Sequence, residues 1–294
     1  MTKPNTLNEQ EQALRVLRDQ IDDIDMNIQR LINQRAECAG KVADVKQRYG
    51  QSESPVFYRP EREAQVLRRV MERNTGPLPD HEMARLFREI MSSCLALEQP
   101  VKVAFMGPEN NYAEQAVRKH FGLSAQSVAF ASLEQVFKAV MDASCHYAVL
   151  PIESPQEGLV SHTLDLLNQY DVFICGEVEL QLGGDALSST FETRFLVLGR
   201  QQVAPSGCDK TSILIRSEDD RPGALYSLLE PFRKRGISLT RLETRSNTGA
   251  RPVSLFYMDF EGHRDDETVA EVLAELQSTP LILKILGSYP QAVL

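Results

Sequence analysis

The stretch LRVLRDQIDDIDMNIQRLINQRAECAGKVADVKQR, residues 14–48, decides the architecture of the first third of the chain. Its apolar residues fall at Leu14, Leu17, Ile21, Ile24, Ile28 and Leu31, then at Cys38, Val42 and Val45. The steps alternate between three and four, the seam of a helix that packs along another helix. A helix over 8–48 would be roughly 60 Å long at ~1.5 Å per residue, beyond the diameter of a small domain. It must therefore find its partners partly in a second chain. Two shorter helices are expected at 60–73 and 80–98, between the breakers at 50–60 and 74–80.

The seam is interrupted at position 35, which holds Arg35. A charge in an apolar seam costs on the order of several kcal/mol unless it is paired. A buried ion pair or a register-setting charge would account for it, and so would a receptor for an anion. Lys46, eleven residues on, lies about 20° around the helix at ~100° per residue and shares the face of Arg35. Arg18, seventeen residues before Arg35, lies roughly 100° away on the same wheel, so it serves that site only from across a dimer seam. Arg59, Arg62 and Glu63 open the second helix after Pro55 and Pro60. Such basic groups suit a small dicarboxylate.

The chain as a whole is acidic, with 32 Lys and Arg against 41 Asp and Glu for a net charge of −9, which argues against nucleic acid as partner. No apolar run approaches the ~18 residues of a membrane span. MTKPNTLNEQEQ at the start has no apolar core of a secretory signal. The five cysteines (38, 94, 145, 175 and 208) form no CxxC pair and sit in apolar runs, so a reduced cytoplasm is expected. No histidine pair has ligand spacing, so neither metal nor cofactor is expected.

Pro100 and the linker APSGCD (204–209) mark three segments, 1–99, 100–203 and 204–294. In the second, VKVAFM (101–106) reads as a buried strand, followed by a helix opening at Asn111 with Glu114 three residues on, a capping-box variant. HYAVLPIE (146–153), DVFICGEVELQL and RFLVLG read as further strands, and SHTLDLLNQY (161–170) as a helix, an α/β pattern. In the third, strands at 211–217, 237–246, 252–262 and 281–289 with helices at 222–235 and 265–278 give βαββαβ, a ferredoxin-like plan. The turn Arg221-Pro222-Gly223 would place Pro first in its helix.

The first segment resembles the all-helical chorismate mutase of the AroQ type, on LRDQIDDID (17–25), Arg35, the lysines at 41 and 46, and YRPEREAQVL (58–67). The resemblance implies an intertwined homodimer that rearranges chorismate to prephenate. It assigns Arg18 to the partner's site and makes Arg35 and Arg62 further cationic groups. Lys46 and Glu98 would donate to the ether oxygen, and Glu63 would take the substrate hydroxyl. Arg59 stands where some members are acidic, and Cys94 where several carry Ser. The reaction needs no nucleophile, only a compact substrate conformer and fixed donors at the growing negative charge.

The second segment resembles prephenate dehydratase, a fold like a two-lobed periplasmic binding protein, on VAFMGPE, LPIES and EGLVSHTLD (150–165), and Thr193-Arg194-Phe195. Thr193 would be catalytic. The family pattern GPxGTFS is here Gly107-Pro108-Glu109-Asn110-Asn111-Tyr112-Ala113, without the hydroxyls. Only 14 residues separate Val178 from Thr193, where the family inserts its second lobe, and one βαβ unit alone needs roughly 30. A single lobe and an impaired dehydratase are therefore expected, the alternative being a fully bifunctional enzyme regulated by phenylalanine. The third segment resembles the ACT domain, which binds an amino acid between protomers, on Gly223-Ala224-Leu225 and Phe260-Glu261-Gly262-His263. Gly223, Ala224, Leu225 and Glu243 would meet the effector, L-phenylalanine, although the family's ESRP is here Glu243-Thr244-Arg245-Ser246. A non-catalytic amino-acid sensor is the reading from a different class.

Overall fold

The structure, a computed structural model, describes residues 6–49, 58–109, 111–154, 158–159, 161–182, 191–217, 223–247 and 253–294. Pro55, Asn110, Glu157, Arg221 and Pro222, which the sequence singled out, lie outside them. The chain forms two compact units, residues 1–57 with 94–99, and 58–93 with 100–294.

In the first unit, helix α1 runs over Thr6–Tyr49, 44 residues without a break. Its seam stays uncovered in the single chain: Leu17, Ile21, Ile24, Ile28 and Leu31 are 49–56% exposed. Cys38 is exposed too, and Cys208 in the second unit, so the expectation of five cysteines in apolar surroundings holds only for Cys94, Cys145 and Cys175. The heptad steps that placed Cys38 on the seam said nothing about what covers the seam.

The second unit begins with α2, Pro60–Glu72, which has proline in its first turn and Glu61 and Glu63 at its positive end. Helix α3 covers Asp80–Glu98, its last residues belonging to the first unit. Then come β1 (Lys102–Met106), α4 (Tyr112–Phe121), β2 (Gln126–Phe130), α5 (Leu133–Met141), β3 (Tyr147–Pro151), the short pair β4 (Glu153–Ser154) and β5 (Gly158–Leu159), α6 (Ser161–Gln169), β6 (Phe173–Leu182) and β7 (Phe191–Gly199). One five-stranded sheet of order β2-β1-β3-β7-β6 forms the α/β lobe. β1 pairs in parallel with β2 and β3, while β7 runs antiparallel to both β3 and β6. Asn111 caps α4 as expected, its side chain accepting from Glu114 N at 2.9 Å.

The C-terminal part is β8 (Asp209–Ser217), α7 (Ala224–Arg235), β9 (Leu239–Asn247), β10 (Val253–Glu261), α8 (Glu267–Gln277) and β11 (Ile282–Pro290). The sheet order β11-β8-β10-β9 is the expected α+β ferredoxin-like one. Alternation splits the sheet's residues between two cores. Ile213, Ile215, Phe256, Met258 and Phe260 pack with α7 and α8. Leu214, Tyr257, Leu286 and Tyr289 instead join Ile174, Leu196 and Leu198 of the lobe. Lobe and C-terminal domain thus share a core, and Gly287 lies so close to Ile174 that a Cβ there would sit 2.2 Å from its carbonyl oxygen.

Helices α2 and α3 dock on the same unit through polar groups. Tyr58, just before α2, packs against His120, Phe121 and Tyr147. Arg68 donates to Ser206 Oγ (3.1 Å) and Cys208 O (2.8 Å) in the linker before β8. Among the described residues no helix is long and apolar enough to cross a membrane.

Candidate functional site

In the first unit two expected cations lie within electrostatic reach of an expected carboxyl. Arg35 and Lys46, both half-buried, project from α1, and Glu98 from the last turn of α3. Burial raises the Glu98 carboxyl above its ordinary range, and the nearby Lys46 and Arg35 cations hold that rise in check. The cluster offers two permanent donors and one that donates only when protonated. Cys94 lies buried one turn before Glu98. Arg18 is exposed on the same continuous helix, roughly 26 Å from Arg35 at ~1.5 Å per residue, and does not reach this cluster within one chain.

The remaining members of the helical set stand at the start of α2, Arg59 as its N-cap. Arg59 is exposed and pairs with Glu61 at 2.6 Å. Arg62 is exposed. Glu63 accepts from Arg88 Nε at 3.2 Å, and Arg88 Nη1 donates to Lys119 O at 2.8 Å. Burial pushes the Glu63 carboxyl up, and the Arg88 guanidinium pulls it back. Arg88 was missed in the sequence, although a signal existed. Ala84, Arg88 and Ser92 are all buried at steps of four, so this cation interrupts an inward stripe much as Arg35 does.

In the lobe, Thr193 lies on β7, 5% exposed, and its Oγ1 has no hydrogen-bond partner among the described residues. Its neighbour Arg194 turns toward the C-terminal domain and donates to Asp259 Oδ2 at 2.6 Å and Tyr289 Oη at 3.0 Å. Glu153 on β4 forms an ion pair with Arg241 on β9. The turn after β1 needs Gly107, whose φ of +110° places a would-be Cβ 2.3 Å from Asn111 Nδ2. Asn111 uses that amide to donate to Met106 O at 2.8 Å, so the amide ties the strand end to α4 in the stretch that lacks the family's hydroxyls.

The effector residues divide between the two faces of the C-terminal sheet. Gly223 precedes α7 with φ +93°, a conformation that favours glycine, and Ala224 and Leu225 follow in the helix. Glu243 sits opposite Tyr257 and so shares its lobe-facing side, lining a small cleft with Asp165 and Arg245. One chain therefore does not bring Glu243 to Gly223, because strand alternation sends it away from the helices. Among the described residues no cluster of His, Cys, Asp and Glu fits a metal ion.

Family models for chorismate mutase type II, prephenate dehydratase and the ACT domain match residues 17–99, 103–190 and 211–277. A bifunctional chorismate mutase/prephenate dehydratase of Pseudomonas aeruginosa is 39% identical over an alignment covering 96% of this chain and 98% of that protein. That alignment spans 360 positions against 294 residues here, so the relative carries residues this chain lacks. Prephenate dehydratase from Streptococcus mutans superposes with a TM-score of 0.56 at 31% identity, covering 65% of this chain and 98% of that one. The enzyme from Arthrobacter aurescens in complex with L-Phe shares the fold at a TM-score of 0.56 and 22% identity, covering 65% of this chain and 90% of that one.

Proposed function

The chain belongs to the bifunctional chorismate mutase/prephenate dehydratase family, and on that premise we propose that it performs both reactions in sequence, under control of an amino acid bound by its C-terminal domain. Residues 1–99 would serve as the mutase, 100–203 as the dehydratase lobe and 204–294 as the ACT domain. The electrostatic influence of the Arg35 and Lys46 cations on the Glu98 carboxyl carries the mutase reading. Two fixed cations and a carboxyl of raised pKa are the donors an ether oxygen needs as its bond breaks and negative charge grows on it. By the resemblance, Arg62 and Glu63 bind substrate, Arg59 and Cys94 complete the set, and Arg18 comes from a partner protomer. The uncovered seam of α1 favours a homodimer, since five aliphatic side chains about half exposed in a row are a surface that a second helix covers. This cluster also weighs against a non-catalytic sensor, which needs no such donors. We place the protein in the cytoplasm, where unpaired cysteines stay reduced.

For dehydration, the ring-to-carboxylate bond of prephenate breaks and its electron pair makes the ring aromatic. The ring hydroxyl leaves with a proton as water, giving carbon dioxide and phenylpyruvate. Thr193 is the hydroxyl the resemblance makes catalytic, and among the described residues its Oγ1 has no hydrogen-bond partner. The single lobe pointed to an impaired dehydratase. The relatives' names favour two working activities instead. Loss of chorismate absorbance tests the first activity, and phenylpyruvate formation from added prephenate the second. Heat on titration with L-phenylalanine tests the effector. Purified, folded protein that leaves chorismate unchanged would refute the mutase reading, and absence of phenylpyruvate would restore the impaired lobe.

A further inference from the structure

A buried ionic network outside the expected catalytic set spans the junction of lobe and C-terminal domain. Arg194 on β7 donates to Glu177 Oε2 on β6 at 3.0 Å, to Asp259 Oδ2 on β10 at 2.6 Å and to Tyr289 Oη on β11 at 3.0 Å. Lys210 on β8 holds the other oxygen of Glu177 at 2.7 Å, and Ser212 donates to Asp259 Oδ1 at 2.5 Å. Two cations and two carboxylates balance, and Glu177, Arg194 and Asp259 are all buried. Taking such charges out of water costs several kcal/mol per ion, by order of magnitude, and apolar residues of similar volume are often as stable. The junction already has an apolar core, with Ile174, Leu196 and Leu198 against Leu214, Tyr257 and Leu286. Adhesion alone therefore does not call for the network. What it adds is direction: three donors on one planar guanidinium accept only one relative placement of the strands.

That placement bears on the segments the resemblance marks for catalysis. Arg194 follows Thr193 directly, and its carbonyl accepts from Ile152 N at 3.0 Å. The next residue, Glu153, is ion-paired with Arg241, which stands opposite Asp259 across β9 and β10. Both motif segments are thus tied to one pair of residues in the C-terminal sheet.

We propose that Arg194 is a positioning residue for the dehydratase: clamped by Asp259 and Tyr289, it orients β7 so that Thr193 presents its hydroxyl, and the seating of the C-terminal domain sets the dehydration rate. The proposal rests on the reading that this lobe dehydrates prephenate. Asp259→Asn and Arg194→Lys, made in the full chain, test it through three measurements on each preparation: phenylpyruvate formation, chorismate consumption and melting temperature. The dehydratase kcat is expected to fall tenfold or more, with KM for prephenate within twofold and the mutase rate unchanged. Tyr289→Phe, which loses one hydrogen bond and keeps the ring, is expected to lower kcat severalfold and decides the matter where the charge variants fail to fold. An apolar triple variant, Arg194→Met with Glu177→Leu and Asp259→Leu, separates orientation from stability. Normal melting with lost dehydration supports positioning, whereas normal melting with retained dehydration overturns it. Retained kcat in folded Asp259→Asn or Tyr289→Phe overturns it as well and leaves the dehydratase reading standing. A wild-type protein that makes no phenylpyruvate refutes that reading itself, and the proposal falls with it.

Discussion

Replacing Gly287 by alanine puts one methyl group where the lobe and the C-terminal domain touch. The new Cβ would stand 2.2 Å from Ile174 O, 2.8 Å from its N and 3.0 Å from its carbonyl carbon. All three neighbours are backbone atoms of β6, so no side chain can rotate aside. Bringing the carbon to an ordinary contact of roughly 3.4 Å requires the strands to part by about 1 Å, a gap that forfeits a quarter to a half of each dispersion well it crosses. Overpacking of this kind costs about 1–3 kcal/mol, and the rigid neighbour argues for the upper half of that range. The same displacement would stretch the 2.6 Å contact between Arg194 and Asp259 beyond hydrogen-bond reach. Gly287→Ala should therefore lower the denaturant midpoint by an amount equivalent to ~2–3 kcal/mol and lower phenylpyruvate formation in the folded protein, while the mutase rate holds. Urea unfolding with both assays on the same sample measures this. A loss below about 0.5 kcal/mol would show that the close approach of β11 to β6 is not rigid.

Lys46→Met should reduce mutase kcat by about 100- to 1000-fold, the usual effect of removing one donor to a developing oxyanion, with little change in melting; a loss under tenfold would exclude Lys46 as that donor. Because burial raises the Glu98 carboxyl, its proton is present below the raised pKa and lost as pH climbs through it, so mutase activity should decline with rising pH. Glu98→Gln, which donates at every pH, should flatten that limb, and an unaltered profile would disprove the assignment. His120, desolvated among Tyr58, Phe121 and Gly176, has its pKa pushed down to about 3 from an ordinary 6.5. The unfolded chain then binds a proton that the fold refuses, so stability falls as pH drops from 6.5 toward 3, by up to about 1.4 kcal/mol per pH unit. Denaturant titrations of wild type and His120→Gln at several pH values should differ in that slope, and equal slopes would contradict a neutral, desolvated imidazole.

Much of the molecule was legible along the chain because local patterns are strong where one face is buried. The heptad steps located α1 to within two residues at its start and one at its end. The βαββαβ order was read from alternating strands and two helix patterns, and the sheet order agrees. Strand β2 and helix α5 passed unmarked: QSVAF is too short and too polar to stand out, and the Ser132 cap of α5 follows it after one residue. Legibility at the sites followed the same divide. Arg35 announced itself because it breaks a period. Arg88, on a shorter helix, breaks a weaker one. Asp259 and Glu177 break none, since an acidic residue in an antiparallel strand is ordinary wherever that face meets water.

The sequence by itself determined the number of segments, their periods, the cationic set and the shortness of the middle segment, since each depends on residues close in the chain or on simple length. Only the tertiary structure decided which partner each charge meets. Arg88 with Glu63, Arg194 with Glu177, Asp259 and Tyr289, and Arg241 with Glu153 join positions from 17 to 95 residues apart. It also decided that the C-terminal sheet turns one face to the lobe, sending Glu243 away from Gly223. The physical reason is that pattern reports whether a side chain points inward, whereas the free energy of a buried charge depends on what stands opposite it, and only the folded chain brings that group there.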